Sequence, residues 1–189
     1  MDSLFLNNRQ IRAHYSDKKG LDLLENKLLE YLQSTFSRPI VLICIGTDRS
    51  TGDSLGPLTG TKLNQIGIPG LTVLGTLSDP VHAENLDNTL KAVYLAFKNP
   101  FVIALDACLG PSNAIGCISL SDGPLKPGTA VKKELPAVGD IHLTGIVNIN
   151  GFMQYMVLQN TRLNIVWQMS EVLCNLFSET YNHYKKSIS

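Results

Sequence analysis

The chain has 189 residues, 44% of them apolar and 17% charged, which is the composition of a globular protein long enough to bury a sizeable core. Sixteen basic residues balance sixteen acidic ones, which argues against broad electrostatic capture of nucleic acid or of an anionic membrane surface. Cys44, Cys108, Cys117 and Cys174 show neither C-x-x-C spacing nor a dense framework, and Met1–Leu6 does not open a signal peptide, so a reducing cytoplasm is the expected compartment.

Residues 1–19 are mixed and polar and are expected to form an N-terminal arm, with residues 20–189 as one α/β domain. Leu21, Leu24, Leu28 and Leu32 lie three or four apart and predict a helix, which Ser37-Arg38-Pro39 ends because the residue before proline is pushed out of the α region. Ile40–Ile45 is an unbroken apolar run, as in a central strand covered on both faces. It empties into Gly46-Thr47-Asp48-Arg49-Ser50-Thr51-Gly52-Asp53-Ser54-Leu55-Gly56-Pro57. Leu55, Leu58, Leu63 and Ile66 then predict a helix that stops at Gly67.

Leu71–Thr76 reads as the next strand and Ser78-Asp79-Pro80 as a turn. Leu86, Leu90, Val93, Tyr94 and Phe97 give an amphipathic helix closed by Asn99-Pro100, and Phe101–Leu105 is a third buried strand ending in Asp106. This β-α-β-α-β order predicts a three-layer α-β-α sandwich with a mostly parallel central sheet and right-handed crossovers. A flavodoxin-like order sets the first of these strands between the other two, so the switch point falls between the strands that deliver Asp53 and Asp106. Further on, Ala114–Leu120 predicts a strand, 124–138 a loop with a short strand, and Ile141-His142-Leu143 a short strand or strand end. Ile149, Phe152, Met153, Met156 and Val157 suit a helix, and Leu163, Val166, Leu173 and Phe177 a long terminal one.

Asp53 precedes a helix, where capping is the ordinary job of an aspartate. Pro57 is at home in a first helical turn, however, which puts the cap at Ser54 to Gly56 and leaves Asp53 upstream of it. Asp106 closes an apolar strand. Two aspartates meeting at one switch point repel when both are ionised, so the pair holds a shared proton. One carboxylate can then activate water while the other protonates a carbonyl. Asp48 and Arg49 read first as a solvated loop pair, with Asp48 and His142 as supporting residues at the rim. Thr47, Ser50, Thr51 and Ser54 either bind a phosphate or serve the backbone, and the G-K-[ST] ending of a P-loop is missing. His142 stands out in Gly139-Asp140-Ile141-His142-Leu143-Thr144-Gly145 ahead of a predicted helix; His14, His82 and His183 have no motif around them. No cofactor is expected, although Asp53, Asp106 and His142 together are a candidate set for a divalent metal. There is no G-x-S-x-G elbow.

The run Gly46…Thr51-Gly52-Asp53-Ser54-Leu55-Gly56-Pro57, followed by Leu105-Asp106-Ala107, resembles the YyaC-type sporulation proteins, relatives of the germination protease of spores. The resemblance extends from about residue 20 onward. It implies that Asp53 and Asp106 fall on the two essential aspartates of the germination protease. The wider superfamily includes the hydrogenase maturation proteases, whose acidic pair and histidine correspond to Asp53, Asp106 and, by context, His142. There the three bind the nickel of the precursor, a metal that belongs to the substrate. This chain is shorter than the germination protease, shows no identifiable propeptide and has Thr47 where that enzyme has asparagine. The expectation is a sporulation-associated peptidase of atypical aspartic type acting on a protein or peptide in the cytoplasm of the sporulating cell or spore, with no nucleic-acid or membrane partner. A metal-recognising maturation-type endopeptidase and an inactive peptidase-like binding protein are the alternatives, and a homo-oligomer is compatible with either.

Overall fold

The computed structural model describes residues 10–35, 37–127 and 135–188. Six strands form one sheet in the order β1-β5-β6-β4-β2-β3: β1 Gln10–His14, β2 Ile40–Cys44, β3 Leu71–Leu74, β4 Phe101–Gly110, β5 Cys117–Asp122 and β6 Ile141–Ile149. β3, β2, β4 and β6 run parallel, while β5 is antiparallel to both β6 and β1. The predicted order, β2 between β3 and β4, is the one observed. The α-helices are α1 Lys18–Ser34, α2 Leu55–Ile66, α3 Leu86–Ala96, α4 Gln154–Gln159 and α5 Leu163–Ile188.

The two faces of the sheet are covered unequally. On one, Leu24, Leu28 and Leu32 of α1, Leu55 and Leu63 of α2 and the buried stripe of α5 from Val166 to Tyr184 pack against Leu42, Ile103, Leu105, Ile118 and Leu143. The other has one helix of ordinary length, α3, whose Leu86, Leu90 and Val93 cover Val41, Ile43, Val102 and Ala104. Every residue of β2 is therefore buried, which accounts for its lack of alternation. The β6–β5–β1 half of the α3 face carries polar side chains, among them Arg12, Ser119, Ser121, His142 and Thr144. Among the described residues no helix is long and apolar enough to cross a membrane.

Four expectations change. Residues 10–14 are no arm: they pair along β5 from Gln10↔Ser121 to His14↔Cys117, with Ile11 and Ala13 turned to the core in a period-two alternation that five residues carry only weakly. Residues 1–9 of the expected arm lie outside the described residues. β4 does not end at Asp106 but runs on to Gly110, because β6 continues beside it through Asp106↔Thr144 to Gly110↔Ile149. His142 accordingly lies near the start of a nine-residue strand, not directly before a helix. The helix expected from Ile149 to Val157 is only α4, and it buries none of its residues.

Phe177 is fully buried under the sheet, so Phe177→Ala should cost about 3–5 kcal/mol, read as a lower urea midpoint at unchanged slope. Leu95→Ala, at a position 91% exposed on α3, should stay within about 0.5 kcal/mol of the parent protein.

Candidate active site

The site begins where β2 runs out. Ile45 N–H donates to Leu105 O at 2.7 Å and Gly46 N–H to Val81 O at 2.8 Å, which ties the loop to β4 on one side and to the segment before α3 on the other. At Gly46 the chain takes φ +138°, and a Cβ there would collide with the carbonyl oxygen of Asp53. The loop closes on itself at this point, with Thr47 N–H donating to Asp53 O at 3.1 Å. A 3₁₀ turn, Gly52–Ser54, then leads into α2. A Cβ on Gly56 would strike the Ile45 carbonyl, so the first turn of α2 sits directly on the strand end. The glycine spacing of this loop is thus a packing requirement: backbone meets backbone twice, with Asp53 held between.

Asp53 does not cap α2. Ser54 occupies the N-cap position and turns its hydroxyl back to Thr51 O at 2.7 Å. Thr47 Oγ1 accepts the Arg49 N–H at 3.3 Å, and the Ser50 hydroxyl is buried with no hydrogen-bond partner among the described residues. Two of the loop hydroxyls therefore serve the loop's own backbone.

Asp106 projects from β4 on the same face as Val102 and Ala104, at the border between the α3 layer and the polar half of the sheet. Its Oδ1 accepts the Ala107 N–H at 2.8 Å. Burial, and after it the charge of Asp53, hold its carboxyl well above the ordinary value near 3.8, against the pull of the Ala107 N–H. Burial also raises Asp53, but Thr47 N–H and the nearby His82 ring favour its charged form. The repulsion is thus relieved by a proton on Asp106, while Asp53 keeps more of its acidity. Both residues remain half-buried, so the pair can be reached from solvent.

The other candidates separate. Asp48 and Arg49 point outward and exposed. His142 lies on the same sheet face as Asp106, opposite Ala104, and its Nδ1–H donates to Gly123 O at 2.8 Å. Among the described residues no three His, Cys, Asp or Glu side chains stand close enough to share a metal ion, so Asp53, Asp106 and His142 are not gathered into a coordination site. The histidine whose charge reaches Asp53 is His82. No local sequence pattern marks it: the bridge Val81↔Ile45, beyond the end of β2, brings its segment beside the Asp53 loop.

Two outcomes follow. Above the ordinary carboxylate value the folded state keeps a proton on Asp106 that the unfolded chain has released, so this group lowers stability as pH rises from that value through its raised one. Asp106→Asn should therefore melt higher than the wild type at neutral pH, with the gap closing as pH falls toward 3.8 in a thermal-melt series. Gly46→Ala should cost about 1–3 kcal/mol in chemical denaturation from its backbone conformation alone, more if the Asp53 carbonyl cannot yield.

Comparison with known proteins agrees with this architecture. The chain is similar in fold to a [NiFe] hydrogenase maturation protease, HycI of Thermococcus kodakarensis KOD1, with a TM-score of 0.54 and 18% sequence identity over 82% of this chain and 99% of that one. It is 50% identical over 179 residues to the uncharacterized protein YyaC of Bacillus subtilis (strain 168), which covers 94% of this chain and 87% of the relative. The family model described as "Protein of unknown function (DUF1256)" matches residues 12–176, and the chain belongs to that family.

Proposed function

We propose that the protein is a peptidase of atypical aspartic type that hydrolyses peptide bonds with Asp53 and Asp106. The observation that carries this reading is the pair itself: two half-buried carboxyls, one on the loop after β2 and one within the neighbouring β4, both raised, in surroundings that separate their proton affinities. Asp53, favoured as carboxylate by Thr47 N–H and His82, takes a proton from water as the water oxygen attacks the peptide carbonyl carbon. Asp106, protonated, donates to the carbonyl oxygen, so the tetrahedral intermediate forms without a bare oxyanion. The departing amine then takes the proton held by Asp53, and Asp106 recovers its own as the carbonyl re-forms.

A protein rather than a small-molecule substrate fits the surroundings. From Ile141 to Thr161 the sequence holds no aspartate, glutamate, lysine or arginine. Within that stretch Ile149, Phe152, Met153, Tyr155 and Met156 are exposed. This segment adjoins the Asp53 loop, where a Cβ on Gly52 would press on Leu158 and Thr161. The sporulation setting and the cytoplasmic or spore compartment belong to the same proposal and rest on the resemblance of the Gly46–Pro57 and Leu105–Ala107 motifs. A metal-recognising role is less well supported, since His142 spends its Nδ1–H on Gly123 and stands apart from the acidic pair.

Cleavage of an unstructured protein such as casein tests the proposal. Asp53→Asn and Asp106→Asn should each lower the rate by about 100-fold or more, with the wild-type rate falling on the acid side as Asp53 protonates and on the alkaline side as Asp106 ionises. Equal cleavage by all three proteins, or cleavage by none, overturns it.

A further inference from the structure

The sheet register places Asp106 in a row of polar side chains. Arg12 on β1 pairs with Ser119 on β5, Ser119 with Thr144 on β6, and Thr144 with Asp106 on β4, so all four share one face of the sheet. Ser119 is buried, whereas Arg12, Thr144 and Asp106 are half-buried, so each keeps some exposure to solvent. No α-helix of the described residues packs its core side chains on this half of the face.

Arg12 is the unusual member. Its Nε–H donates to Ser119 Oγ at 2.8 Å, which fixes the direction of the guanidinium. Among the described residues no carboxylate forms an ion pair with it. Nor is it the counter-ion of the acidic pair: the groups that move the Asp106 proton are Asp53 and the Ala107 N–H. The charge is instead felt at the thiols of Cys108 and Cys117, one row nearer the carboxyl ends of the parallel strands. The side chain thus extends from the sheet edge over the neighbouring strand β5. A cation drawn partly out of water without a counter-ion is costly, and a planar fork with four further N–H donors suits a carboxylate held in two parallel hydrogen bonds.

We infer that Arg12, oriented by Ser119, is the anchor for a carboxylate of the substrate, bound along the polar row that leads to Asp106. The inference rests on the peptidase reading for its substrate class. Strands lie about 4.8 Å apart, so the backbones of Arg12 and Asp106 are roughly 14 Å apart across three spacings, and the reach of the side chain over β5 shortens that gap. At about 3.3 Å per extended residue, the carboxylate would sit roughly two to four residues from the scissile bond. It is either the terminal carboxylate of a peptide or the side chain of an aspartate or glutamate. Arg12 is a specificity-determining residue in this arrangement and takes no part in proton transfer.

Binding to the full chain carrying Asp106→Asn, which holds substrate without turning it over, separates the sources. Three fluorescent pools of random hexapeptides are the probes: one with a free C-terminus and no acidic residue, one amidated with a single glutamate at varied positions, and one amidated with glutamine in its place. One of the two carboxylate-bearing pools should bind roughly ten- to a hundredfold tighter than the glutamine pool. Arg12→Gln should abolish that ratio and Arg12→Lys retain part of it, with melting checked for both, whereas loss of a merely structural arginine would weaken all pools alike. Ser119→Ala should reduce the ratio without removing it. Equal binding of the three pools, binding of none, or a ratio unchanged in Arg12→Gln overturns the inference. A preference that persists where wild-type protein cleaves nothing would sink the peptidase reading and leave the anchor standing.

Discussion

The pairing of β2 with β4 is the constraint on which the rest of the molecule depends. In register from Ile40↔Phe101 to Cys44↔Leu105, and carried one step further by Ile45 N–H to Leu105 O, it sets the place where one chain turns out of the sheet beside the place where the other carries Asp106. Parallel neighbours need a crossover, and that crossover supplies α2, β3 and α3. The buried apolar run of β2 is what makes the pairing obligatory, since neither face of that strand can be left in water.

Holding two carboxyls out of water near one another opposes folding, and the sheet answers with asymmetry. One face is closed by α1, α2 and α5 over a large apolar core, which provides most of the burial. The α3 face has a smaller core and leaves its other half polar. The acidic pair stands at the boundary of the two halves, near enough to apolar walls to have its protons shifted and near enough to the open half to be reached.

Much of this was legible in the chain. The runs Ile40–Ile45 and Phe101–Leu105 and the stripe Leu86, Leu90, Val93 gave elements of the right type in the right order, because each is long, strongly patterned and bounded by glycine or proline. Pro57 moved Asp53 off the cap, and the structure puts Ser54 there. What could not be read depends on distant pairing. β1 is only five residues long, and its partner comes more than a hundred residues later. β4 outruns its apolar stretch because β6 lies alongside it. His82 reaches Asp53 through an isolated bridge, and Phe152 and Met153, apolar enough to pass for core, are exposed. The segment 128–134, expected as loop, lies outside the described residues.

The continuation of β4 past Asp106 assigns the two acids different mechanical roles. Asp106 sits inside a strand, paired with β6 before and after it and abutting the end of β2, with a register shift only beyond it at Cys108/Leu109. Its backbone can move only if the sheet moves. Asp53 stands on a loop outside the sheet, held by its own carbonyl, which accepts the Thr47 N–H and lies against Gly46. Any adjustment of the distance between the two acids therefore falls to the Asp53 loop, with Asp106 held in the sheet. The pair thus joins a group fixed by strand pairing to one fixed by loop closure.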